Sequence, residues 1–182
     1  MKKKLLLLMS LLCTLCLNAQ NWNAKENGLK AGLRTMGNLG YHFGHAIEFG
    51  GTVGYQFNPF IFVGGSASYL YGIDDDSKEN KTFAVPICAD ARVDFLNRQF
   101  TPFLEAKVGY SVAGQYYDGM ITSAEFGVRY HIKNRFAVNL GLSIIFGQKK
   151  IPDYQDPNTL IPDENHHEWS VACGGLRMGF EF

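Results

Sequence analysis

The sequence has no surplus of charge of either sign, few cysteines and, beyond residue 17, no long apolar run. Each lack excludes something. Lys and Arg number 17 against 17 Asp and Glu, so no basic surface is left to hold nucleic acid. The one apolar run, Leu5–Leu17, is too short for a spanning helix. It follows Lys2, Lys3 and Lys4 and runs into Leu17-Asn18-Ala19. A basic start, a short apolar core and a small residue at the cut read as a secretory signal peptide over 1–19. Its removal takes the formal charge from +0 to −3, because only the three lysines are lost. Cys16 does not indicate lipoprotein processing, since Leu15 stands where a small residue is needed. Of 4 cysteines, Cys13 and Cys16 leave with the signal and Cys88 and Cys173 remain. After the signal no stretch shows the helical period of apolar residues.

What is present instead is glycine, aromatic side chains and alternation. The chain of 182 residues suits one domain, and 20 glycines with 14% aromatics suit a β protein with tight corners. Residues 20–27 read as a short periplasmic N-terminal segment and 28–182 as the barrel described next. Period-two alternation predicts strands over 28–37, 45–57, 60–71, 83–95, 102–112, 120–130, 136–147 and from Trp169 to Phe182. Asn58-Pro59, 97–101 and 131–135 read as short turns. Between them fall loop one (38–44), loop two (Gly72–Thr82), loop three (113–119) and loop four (Gln148–His167). Pro86 interrupts the fourth strand, where a proline removes a ladder hydrogen bond. The expectation is a bulge at Pro86, or a strand start standing clear of the pairing.

The two faces of these strands differ in kind. One carries Leu, Ile, Val, Phe and Tyr and no Asp, Glu, Lys or Arg; in the last strand it holds Ala172, Gly174, Leu176, Met178, Phe180 and Phe182. An eight-stranded barrel has an interior just wide enough for side chains, and this set would overfill it. The other face is glycine-rich, which suits a cramped lumen. The apolar face therefore points at lipid, and the fold class is an all-β, eight-stranded antiparallel up-and-down transmembrane β-barrel. Aromatics gather at the strand ends: Phe57, Phe95, Tyr130, Phe136, Phe180 and Phe182 on the turn side, and Tyr69, Tyr71, Phe83 and Phe146 on the loop side. Such belts mark the two membrane interfaces of an outer-membrane barrel, whose short turns are periplasmic and longer loops external.

The signal ending at Ala19, the eight alternating strands and the terminal Met178-Gly179-Phe180-Glu181-Phe182 resemble the small OmpA/OmpX-type outer-membrane β-barrel proteins. The resemblance covers essentially all of 20–182. It implies the outer membrane of a Gram-negative cell, lipid and lipopolysaccharide as surroundings, and Phe180 and Phe182 as a signal read by the barrel-assembly machinery. The chain departs from the longer members in having no periplasmic peptidoglycan-binding domain after the barrel, which leaves no cell-wall anchor to expect.

The polar face carries twelve charges: Lys30, Arg34, Arg92, Lys107, Arg129 and Arg177 against Glu48, Asp90, Asp94, Glu105, Glu125 and Glu181. Six against six is the balance of an ionic plug, since an unpaired buried charge is costly. The alternative is a narrow porin-like path. Register sharpens the expectation. Inward residues of strands four and five whose numbers sum to 197 pair Arg92 with Glu105 and Asp90 with Lys107, and a sum of 232 across loop three sets Lys107 against Glu125. Cys88 and Cys173 lie on strands across the barrel from each other, beyond the reach of about 7 Å that a disulfide spans, and read as buried free thiols. Asp74, Asp75, Asp76 and Glu79 read as solvated loop carboxylates. His166 and His167, near Asp163, Glu164 and Glu168, match no metal-site spacing, so neither metal nor cofactor is expected. A lipid-modifying enzyme would need a catalytic pair. His45 and Ser170 share the lipid face near the outer rim but stand roughly 9.6 Å apart at two strand spacings, too far for a nucleophile and its base. The expectation is a non-enzymatic barrel with a side-chain-filled lumen, whose loops two and four meet ligands or surfaces and which supports envelope integrity.

Overall fold

A computed structural model describes residues 30–43, 46–73, 83–114, 119–133, 136–150 and 167–182. Eight strands appear: β1 (Gly32–His42), β2 (Ala46–Asn58), β3 (Ile61–Gly72), β4 (Phe83–Asp94), β5 (Phe100–Gly114), β6 (Gly119–Lys133), β7 (Phe136–Lys150) and β8 (His167–Glu181). Each pairs antiparallel with its sequence neighbours, and β1 pairs with β8, so the sheet closes on itself with no free edge around the wall. Closure lets the strands pair all round the wall without water, the condition for a sheet to cross lipid. The chain end takes part: the Phe182 amide donates to the Thr35 carbonyl at 3.0 Å, and the Thr35 amide donates to the Phe182 carbonyl at 3.2 Å.

The alternation that defines the strands also sorts the faces. Leu33, Phe49, Tyr55, Leu104, Phe126, Leu142 and Phe180 are exposed on the outside, whereas every buried Arg, Lys, Asp and Glu lies inside. β2, β3 and β4 lie within one residue of the expected bounds, β5, β6, β7 and β8 run two to three residues further at one end or both, and β1 departs most. The segment expected to be loop one continues as strand to His42, because Leu39 and Tyr41 keep the outward parity of Leu33. Glycine and asparagine at 37, 38 and 40 disguise it. The turn expected at 97–101 sits at 95–99, and Asn58 caps the β2–β3 turn by accepting from the amides of Phe60 (2.8 Å) and Ile61 (2.9 Å). Pro86 sits at a bulge, with the β4–β5 register shifting between Ala84 and Pro86. On the β3 side the ladder skips from Ala67–Ile87 to Leu70–Ala84.

Glycines make the lumen room that two inward rings require. Gly54 and Gly64 face each other across the β2–β3 ladder. A Cβ on Gly64 would stand 2.9 Å from the Phe62 ring and 2.7 Å from the Val53 carbonyl, so the ring lies where two side chains are missing. Gly127 and Gly141 form a second such pair, across β6–β7, beside Phe103.

Candidate functional site

The lumen is the site, and it is layered. Nearest the turn end, Arg34, Arg92, Arg129, Asp94 and Glu181 lock together with at most 5% of any residue exposed. Glu181 is the hub. It meets Arg34 at 3.8 Å and Arg92 at 3.3 Å, and it also bridges Arg129. Arg129 donates from Nη1 to Asp94 Oδ2 at 2.8 Å, and Asp94 lies 3.7 Å from Arg92. Arg92 also stacks over the Phe62 ring, 4.7 Å from its centroid. The side chain that supplies the hub belongs to the last residue of the last strand, next to the closing Phe182.

One step toward the loop end lies an acid-rich layer. Arg177 of β8 donates from Nη2 to Glu48 Oε2 (2.7 Å) on β2 and from Nη1 to Glu125 Oε2 (2.9 Å) on β6, spanning the lumen. Lys107 sits 3.0 Å from Glu105 and 3.5 Å from Asp90. Asp90 accepts from the hydroxyls of Ser66 (2.8 Å) and Thr52 (3.3 Å), and His42 Nε2 lies 3.0 Å from Glu48 Oε2. Arg92 reaches Glu105 at 4.0 Å and joins the two layers. Three arginines face two carboxylates in the first layer, and one lysine with one arginine faces four carboxylates in the second.

Several expectations meet this geometry and others do not. Asp90 stands opposite Lys107 and Arg92 opposite Glu105 in the β4–β5 ladder. The β5–β6 ladder runs two residues out of the expected register: Lys107 faces Ser123, and Glu105 faces Glu125. The expected row of Asp90, Lys107 and Glu125 is therefore corrected. Its premise was that a charge must pair with its ladder neighbour, but the lumen is narrow enough for Arg177 to take Glu125 from two strands away. Lys30 is corrected too. It is exposed, outside β1, and gives the network only its backbone carbonyl, which accepts from Arg34 Nη2 at 2.9 Å. His42, Thr52 and Ser66 were missed; His42 was hidden by ending the first strand at 37, and the two hydroxyls carry no charge to mark them. Cys173 is buried, Cys88 is half-buried, and both thiols are free. Asp74, Asp75, Asp76, Glu79, His45 and His166 lie outside the described residues, as do residues 1–29, and only the backbone of His167 and Ser170 is described. Among the described residues no three His, Cys, Asp or Glu are grouped to hold a metal.

A closed antiparallel barrel with a charged, packed interior and an apolar exterior is a transmembrane β-barrel. The chain belongs to the family of the outer membrane protein beta-barrel domain, whose sequence profile matches residues 5–171, and the protein resides in the outer membrane. No curated protein matches it. Among solved structures it is similar to the N-terminal β-barrel domain of Pseudomonas aeruginosa OprF, at 16% identity and TM-score 0.51, over 85% of this chain and 99% of that one. Neisserial surface protein A is similar at 14% identity and TM-score 0.54, over 82% and 92% of the two chains. A de novo designed transmembrane β-barrel is similar at 11% identity and TM-score 0.51, over 86% and 98%. At these identities the likeness is one of fold.

Proposed function

We propose that the protein is a non-enzymatic barrel with a closed lumen, set among outer-membrane lipid and lipopolysaccharide, whose long loops meet ligands or neighbouring surfaces and whose wall supports the envelope. The observation that supports it is the lumen itself. Its charged side chains are spent on one another across β1, β2, β4, β5, β6 and β8, and the cavity among the described residues that reaches Glu48, Lys107 and Arg177 is of water size. Interlocked charges of this kind hold a wall rigid and fill the interior among the described residues, so recognition falls to the loops. On this reading the barrel-assembly machinery recognises Phe180 and Phe182 during insertion.

The experiment compares the intact protein with a variant in which Gln148–His167 is replaced by a short turn, both immobilised and presented with surface extracts and purified lipopolysaccharide. Capture that depends on the loop supports the proposal. Equal capture by both, or acyl chains altered when lipopolysaccharide is incubated with the protein, would contradict it.

A further inference from the structure

Above the acid-rich layer the lumen changes character. Ala46, Leu70, Ala84, Ile121 and Ile145 form one apolar cluster, each at most 3% exposed, although every one of them points into a lumen that is charged below. They come from β2, β3, β4, β6 and β7. Each of the other three strands places a buried residue opposite a cluster member or, for Ser111, two positions from one. Cys173 pairs with Ile145, Ser111 pairs with Gly119 and Pro86, and His42 pairs with Ala46. Each of the eight strands thus gives one buried residue to a ring, and no member is Asp, Glu, Lys or Arg.

Each of the two polar members directs one polar atom out of the ring, while His42 Nδ1 lies against Gly175 at the β1–β8 seam. Ser111 Oγ donates to the Ala113 carbonyl of its own strand at 3.2 Å, and His42 Nε2 points down to Glu48. Directly beneath lies a cavity of about 20 Å³, whose lining includes Leu70, Ile121 and Ile145 from the ring, Glu48, Lys107 and Arg177 from the ionic layer, and Cys88. That volume holds about one water.

We propose that this apolar ring is a second seal, which closes the lumen toward its outer end with packed hydrocarbon, in series with the two ionic layers. The proposal rests on the closed-lumen reading and says where the closure is. Packed hydrocarbon leaves water no room and no hydrogen bonds and gives an ion nothing in exchange for its hydration shell, so it blocks conduction. The ionic layers block differently, by filling space with paired charge. Two barriers of different chemistry mean that opening one leaves the other shut.

Three variants purified and inserted into planar bilayers test it: an ionic-layer variant that breaks both charged layers (Arg92→Gln, Glu181→Gln, Glu48→Gln, Glu125→Gln, Arg177→Gln), a ring variant (Leu70→Ser, Ile121→Ser) and their combination, each checked for folding by heat-modifiable migration. The first two are expected to be silent and the combination to conduct. Conduction by the ionic-layer variant alone, or silence of a folded combination, overturns the seal. Conduction by the wild type would instead defeat the closed-lumen reading. Cys88 gives a second readout that does not need the combination to fold. In a Cys173→Ala background, Ile121→Thr is expected to raise the rate of Cys88 modification by a small water-soluble thiol reagent at least about tenfold, as a 1.4 kcal/mol loss of barrier would. An unchanged rate would overturn the proposal.

Discussion

Glu105 and Glu125 stand directly opposite each other in the β5–β6 ladder, two carboxylates in one register pair. Like charges so placed repel, and each is held by a different cation: Glu105 by Lys107 at 3.0 Å, Glu125 by Arg177 at 2.9 Å. The pair is tolerable only because Arg177 crosses the lumen. Replacing Arg177 with Met leaves Glu48 and Glu125 without their guanidinium and is expected to destabilise by about 3–5 kcal/mol. Glu125→Gln removes one of two opposed charges and is expected to cost distinctly less. Urea unfolding in detergent micelles orders the two; an equal or reversed order would refute the arrangement.

Arg92 and Glu105 are ladder partners, but their charged atoms meet only at 4.0 Å, whereas Arg92 lies 3.3 Å from Glu181. Exchanging the two residues places a carboxylate beside Asp94 and Glu181. The exchange is therefore expected to restore little of the stability lost in either single variant. A thermal melt in which the double variant recovers most of the wild-type midpoint would show that the ladder pair, and not Glu181, is the partner that matters.

At the β1–β8 seam Gly175 sits beneath the His42 ring. A Cβ there would stand 2.7 Å from His42 Nδ1 and 2.7 Å from the Tyr41 carbonyl. The backbone oxygen cannot step aside, so Gly175→Ala forces the seam apart and draws His42 away from Glu48. The cost is expected to be about 1–3 kcal/mol, typical of overpacking. Gly51→Ala, whose Cβ would stand 3.6 Å from the Met36 carbonyl, is the matched control and is expected to be near neutral.

Phe182 closes the backbone ring through its two hydrogen bonds with Thr35. Deleting it removes both and the terminal ring, so the variant is expected to insert poorly and accumulate in the periplasm or be degraded. Wild-type yield of heat-modifiable barrel from the deletion would argue that neither role is needed.

The wall of this barrel was legible because lipid and lumen impose opposite chemistry on alternate residues, so the period survives at almost every position. It failed where that contrast vanishes. Gly37, Asn38 and Gly40 carry no outward apolar mark, and the first strand was cut short there. Charge pairing along β4–β5 could be read because the turn between those strands is short and centres the register. Between β5 and β6 the strand ends expected at 112 and 120 lie at Gly114 and Gly119, and a register slid by two keeps every side chain on its face, so the alternation does not reveal it. Pairing across the lumen, as between Arg177 and Glu48, depends on the barrel's radius and has no local signature. Lys30 has the parity of the lumen, but it precedes the first paired residue.

The central claim is that the lumen is closed, and single-channel recording on purified wild-type protein in planar bilayers tests it most directly. The account predicts a quiet baseline at all applied voltages after insertion is verified by heat-modifiable migration. Stable, reproducible unitary steps that scale with the amount of folded protein would contradict it.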